Sequence, residues 1–211
     1  MSQHGVTVVG IDVGGERKGF HAVALRAGQF VDTKSSTDPK ELVKWCRERE
    51  AHVIAVDAPC AWSDSGSSRL AERELRIGGE TIQCFKTPTR KHAGANESGF
   101  YGWVFNGERL FDELTRHYAL FDGQRRDTPT VFETFPHAVV CALAGRVVAA
   151  KPKATTRRRV LEKKKKGYDV SKLRNIDFVD AALCAHTAEA FRSDHWQMFG
   201  AKEEGFIIVP R

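Results

Sequence analysis

The chain of 211 residues predicts a single mixed α/β domain. Its sheet should have five strands, three running antiparallel and the next two parallel to the first. Three observations lead there. Short apolar runs at 6–12 (VTVVGID), 53–57 (VIAVD) and 130–133 (TVFE) have the length and β-branched richness of buried strands. Each ends on an acid and passes at once into loop chemistry, at Gly14-Gly15, Pro59 and Pro136. Two further strand-like segments and a helix separate the first two runs, the order of an antiparallel meander followed by a crossover to a parallel strand.

After the first run, residues 14–19 form a turn, and residues 20–26 alternate imperfectly as a second strand. Residues 27–29 connect it as a hairpin to a third strand at 30–34. Thr37 or Asp38 caps a helix that has Pro39 at its first position and runs to about Glu50, with Leu42, Val43, Trp45 and Cys46 as its apolar stripe. The fourth strand, VIAVD, is followed by an insertion at about 58–128. A polar loop at 63–68, a short charged helix at 68–77 closed by Gly78-Gly79, and a helix at 101–118 fill this insertion. A connection of that length is usually functional, which places it over the site. After the fifth strand, TVFE, an apolar helix spans 136–144. The basic segment at about 151–174 begins as loop and becomes helical from Thr155 to Lys166, and Gly167 ends that helix. Asn175 opens a long helix at 176–191, and 206–209 is a last short strand. With no repeats and no linker, 1–211 reads as one domain.

No stretch approaches the roughly 20 apolar residues of a membrane span, and the first residues carry no secretion signal. The five cysteines are scattered and never spaced C-x-x-C, so they read as reduced thiols of a cytoplasmic protein, with no disulfide frame or zinc site. Charge is concentrated. Residues 151–166 hold nine Lys and Arg against Glu162 alone, an excess of eight, so a chain of net charge +6 carries −2 elsewhere. One docking patch for a polyanion fits better than a generally cationic surface.

Ligands of open α/β sheets sit beyond the carboxyl ends of the strands. Three carboxylates gathered there force protonation or require a cation, and an all-oxygen site calls for a hard divalent metal. Asp177 and Asp180, three apart, share one face of the last helix. They would also oppose the helix dipole in its first turn, which is their plain structural role. Asp12 and Asp57 could equally serve as turn residues, but Glu133 has no turn-forming habit. The candidate metal-binding and catalytic set is therefore Asp12, Asp57, Glu133, Asp177 and Asp180, with Mg2+ or Mn2+ as cofactor. Those acids suit two-metal phosphodiester hydrolysis, with Asp12 bridging, Asp57 and Glu133 to one side, and Asp177 and Asp180 to the other. Arg157, Arg158, Arg159, Lys163, Lys164, Lys165 and Lys166 would hold the backbone of a nucleic acid, DNA or RNA. Lys18, Arg90 and Lys91 are further phosphate contacts, and Trp62, Phe100 and Trp103 are candidates for stacking on bases.

Gly10-Ile11-Asp12, Val56-Asp57-Ala58-Pro59, Glu133-Thr134-Phe135-Pro136 and Asp177-Phe178-Val179-Asp180-Ala181, in that order, resemble the family called domain of unknown function 429. The resemblance implies a ribonuclease H-like fold, a metal site and a predicted nuclease activity. The paired acids of the last helix, with Asp12, are also similar to the Holliday-junction resolvase branch of that fold. Two other readings remain open. One is a catalytically silent nucleic-acid or protein-binding module of the same fold. The other is an ATP-binding protein of the actin-like superfamily, suggested by Gly10-Ile11-Asp12-Val13-Gly14-Gly15, although a second lobe does not fit this length.

Overall fold

The computed structural model describes residues 5–64, 66, 68–164 and 170–211, of which 164 and 170 by backbone only. The first half of the chain runs β1 (Thr7–Val13), β2 (Phe20–Arg26), β3 (Gln29–Ser36), α1 (Pro39–Glu48), β4 (Ala51–Asp57), α2 (Leu70–Glu74), β5 (Arg76–Ile77), β6 (Glu80–Thr81), α3 (Arg90–Gly94) and α4 (Gly102–Leu114). The second half runs β7 (Ala119–Leu120), β8 (Thr130–Glu133), α5 (Pro136–Ala144), α6 (Lys153–Lys164), α7 (Ile176–Arg192), β9 (Trp196–Ala201) and β10 (Gly205–Pro210).

A mixed sheet flanked by helices results, larger than the expected five strands. Among the described residues its eight strands follow the order β3-β2-β1-β4-β8-β10-β9, with β7 paired to β8. β2 is antiparallel to β1 and β3, while β4 is parallel to β1 and β8 parallel to β4. The additional strands are short or peripheral. β9, absent from the sequence reading, is a half-exposed edge strand joined to β10 as a hairpin. Gly78 and Gly79, both at positive φ, turn the β5–β6 hairpin where a helix end was expected. The helix expected at 68–77 is accordingly shorter, and α6 begins at Lys153, two residues before the expected start. None of the described helices is long and apolar enough to cross a membrane.

The pleat divides the sheet into two cores, because successive side chains of a strand point to opposite faces. Val9, Ile11, Ile54, Val56 and Val131 pack with Leu42 of α1 and with Leu110 and Leu114 of α4. Val8, Val23, Val53, Ala55 and Phe132 pack with the small residues of α7, among them Ala181, Ala185 and Ala188. Gly10 lies on this second face. A Cβ there would stand 2.0 Å from the Ala185 nitrogen and 2.1 Å from the Ala181 oxygen, so helix and strand meet backbone to backbone. Asp12 has the same pleat phase as Gly10, and α7 therefore delivers its own acids to Asp12.

Gly10→Ala is expected to cost about 3 kcal/mol or more by forcing α7 off β1. That corresponds to a Tm drop of roughly 6–12 °C, with any stabilisation by divalent cations lost as well. Thermal unfolding with and without Mn2+ measures both.

Candidate metal centre

Two register facts assemble the site. Asp12 at the end of β1 pairs with Asp57 at the end of β4 and with His21 at the start of β2. Residues paired across neighbouring strands share a face, so all three project toward α7. Asn175 caps α7, its Oδ1 accepting from the Phe178 amide at 3.0 Å, and the first turns present Asp177 and Asp180. One oxygen each of Asp12, Asp57 and Asp180 lies within 4.8 Å of the others, and so do one oxygen each of Asp12 and Asp177 and a ring nitrogen of His21. Four of the five predicted acids thus converge, with Asp12 common to both groups.

Glu133, expected as the fifth, stands apart. It pairs with Val56 rather than Asp57, one residue out of phase, so its side chain turns to the opposite face of the sheet. There it receives Arg69 Nη2 at 2.5 Å, Arg69 Nη1 at 2.7 Å and the Cys60 amide at 2.9 Å. Arg69, only 1% exposed, also donates to Glu72 at 2.9 Å. The buried carboxylate is neutralised by a bidentate guanidinium. Arg69 carried no signal in the sequence.

Basic side chains also reach the converging acids. Lys18 Nζ is 2.6 Å from Asp177 Oδ1, and Lys153 Nζ is 2.8 Å from Asp180 Oδ2. Arg157, expected on nucleic acid, is 7% exposed and bonds Asp180 Oδ1. The Lys153 contact is ionic without hydrogen-bonding geometry, so the fully buried Asp180 Oδ2 accepts no hydrogen bond among the described residues. Four carboxylates face three cations, and repulsion remains. Burial foremost, then the charge of Asp180, push the Asp12 carboxyl up to about 7, and Lys18 only partly opposes this. Burial, Asp12 and Asp180 raise Asp57 well above the ordinary carboxyl range. Burial acts against the charge of Lys18, but the hydrogen bond to Asp177 and the neighbouring acids outweigh it and raise its pKa. Burial lowers the His21 pKa against the pull of Asp177, favouring the neutral ring.

Asp12 holds a proton in the folded state between its ordinary pKa of 3.8 and about 7, where the unfolded chain has released it. Its contribution to stability is full below 3.8 and is lost as pH rises through 7. Metal-free protein should therefore be more stable against urea at pH 6 than at pH 8, and this difference should shrink in Asp12→Asn.

The other predicted contacts divide. Arg158 is half-buried and donates to the Leu173 carbonyl at 2.6 Å, and Arg90 is paired with Glu108 at 2.8 Å. Lys91 is exposed on α3. The Lys164 side chain, Lys165 and Lys166 lie outside the described residues. Arg159 and Lys163 are exposed on the outer face of α6 and line a groove of about 600 Å³ with Arg146 and Lys151. None of these four has an ion-pair partner among the described residues. Trp62 donates to Glu108 at 2.7 Å, and Trp103 packs edge-on against Phe85 at 4.9 Å. Phe100, 60% exposed, leans on Tyr101 and Phe85.

No curated protein and no solved structure matched the chain. The model of the family described as "Protein of unknown function (DUF429)" matches residues 10–205. These residues take in both strand-end aspartates and the whole of α7, and the chain belongs to the DUF429 family.

Proposed function

We propose that this protein is a nuclease that hydrolyses phosphodiester bonds with Mg2+ or Mn2+, built on a ribonuclease H-like sheet. The observation that carries the reading is the convergence of Asp12, Asp57 and Asp180 oxygens within 4.8 Å, with the buried Asp180 Oδ2 accepting no hydrogen bond among the described residues. The donor set fits a hard divalent cation: oxygen atoms from three carboxylates, in a place where their mutual repulsion already favours protonation. The strand order β3-β2-β1-β4-β8, with only β2 antiparallel to its neighbours, agrees with the same superfold.

Asp12, Asp57, Asp180 and Asp177 would hold the cation or cations. When bound, Mg2+ or Mn2+ supplies an activated water and neutralises charge on the phosphate. Lys18, Lys153 and Arg157 balance the acids in the metal-free protein. With cations in the site, the half-exposed Lys18 and Lys153 are free to turn to phosphate oxygens. The groove on the outer face of α6 would hold the backbone beyond the scissile bond, and Phe100 offers a face for an unpaired base. Lys151→Glu combined with Arg159→Glu is expected to weaken oligonucleotide binding about tenfold at low salt and to flatten its salt dependence. Anisotropy titrations without metal measure this.

The activity test is incubation with labelled single-stranded, duplex, hybrid and branched substrates plus Mn2+. Cleavage is expected in the wild type and absent in Asp12→Asn; cleavage that persists in the variant overturns the assignment. A catalytically silent binding module is the second reading, favoured by the three cations already seated on the acids. That alternative predicts no thermal shift with Mn2+.

A further inference from the structure

The strand pairing that joins Asp12 to Asp57 also brings in a residue from outside the acid set. We infer that His21 is a metal ligand and that it makes the Asp12–His21–Asp177 position selective for Mn2+ over Mg2+. The inference rests on the divalent-metal reading of this site and extends it to a nitrogen donor.

The position is fixed from two sides. The 14–19 turn, closed by the Gly14 amide on the Gly19 carbonyl at 2.8 Å, sets the β1–β2 register that puts His21 opposite Asp12. From α7, Phe178 meets the imidazole edge-on at a ring separation of 5.0 Å and 86°. Between these contacts, a His21 ring nitrogen and one oxygen each of Asp12 and Asp177 lie within 4.8 Å of one another.

The ring lacks what a buried histidine normally has. His21 is 9% exposed, and its Nδ1 is buried without a hydrogen-bond partner among the described residues. Leaving such a group unsatisfied costs about 1–3 kcal/mol, and native structures rarely tolerate it without a reason. Two carboxylates beside the imidazole make a cation the fitting partner. Carboxylate oxygens alone suit Mg2+, which favours oxygen ligands and retains its waters. An imidazole nitrogen shifts the balance toward transition dications, which bind nitrogen more readily. The neighbouring group of Asp12, Asp57 and Asp180 has oxygen donors only. The two positions therefore differ in chemistry while sharing Asp12.

Pulsed EPR of Mn2+ added to metal-free full-length protein tests the ligand directly, without any variant. The expected result is nitrogen-14 hyperfine coupling to bound Mn2+ in the wild type and its loss in His21→Gln. In parallel, Mn2+ affinity should fall by about tenfold or more in His21→Gln while Mg2+ affinity changes by less than about threefold. Bound Mn2+ without nitrogen coupling, or an unchanged Mn2+/Mg2+ preference in the variant, overturns the His21 inference and leaves the carboxylate site standing. No Mn2+ binding by the wild type overturns both.

Discussion

Asp12→Asn is expected to abolish cation binding and cleavage while making the metal-free protein more stable. Asp12 is the one acid common to both ligand groups, so its loss disables both together. A fall in kcat of at least about a thousandfold corresponds to roughly 4 kcal/mol of transition-state stabilisation. The stability gain has a separate origin. With Asp180 and Asp177 nearby and its own burial dominant, Asp12 is costly to ionise, which is why its carboxyl is pushed up to about 7. A neutral amide removes that repulsion, and at pH 8 the variant should gain about 1–3 kcal/mol, since each pKa unit represents about 1.4 kcal/mol. Tm should rise by several degrees in EDTA, and the Mn2+-induced shift expected of the wild type should vanish. Gain of stability with loss of function marks a site strained for its task. A variant less stable than the wild type in EDTA would mean that Asp12 serves the fold instead.

Arg69→Ala is expected to be the most damaging substitution for the fold. It leaves Glu133 and Glu72, 4% and 7% exposed, without their shared guanidinium. Removing one partner of a buried pair typically costs about 3–5 kcal/mol, or roughly 6–20 °C in Tm for a domain of this size. Glu133→Gln, which can keep hydrogen bonds to Arg69 and the Cys60 amide, should cost less and should leave Mn2+ binding within about twofold of wild type. Loss of Mn2+ binding in Glu133→Gln would return Glu133 to the metal centre. Thermal unfolding followed by calorimetric Mn2+ titration distinguishes the two outcomes.

Much of the site was legible because its signals are local. An apolar run ending on an acid marks the end of β1 and of β4, and Asn175 marks the start of α7. Pleat phase is a different matter. All four residues of β8 are buried, so TVFE shows no alternation to tell which face Glu133 takes. Its face is set by pairing with β4, a contact between residues far apart in the chain. His21 was missed for a similar reason: only the β1–β2 register makes it a neighbour of Asp12. The basic segment held a usable signal. Arg157 and the buried Leu161 stand four residues apart, so the helix face that buries Leu161 carries Arg157 inward. Charge density alone had assigned Arg157 to the surface. β9 escaped because WQMFGA has no β-branched residue and only half its surface is covered.

The most direct measurement is anomalous diffraction from crystals soaked in Mn2+. Density is expected between Asp12, Asp57 and Asp180, with carboxylate oxygens in its coordination shell and Lys153 withdrawn from Asp180. Crystals without a peak there, with Lys153 and Arg157 still seated on Asp180 at saturating Mn2+, would contradict it.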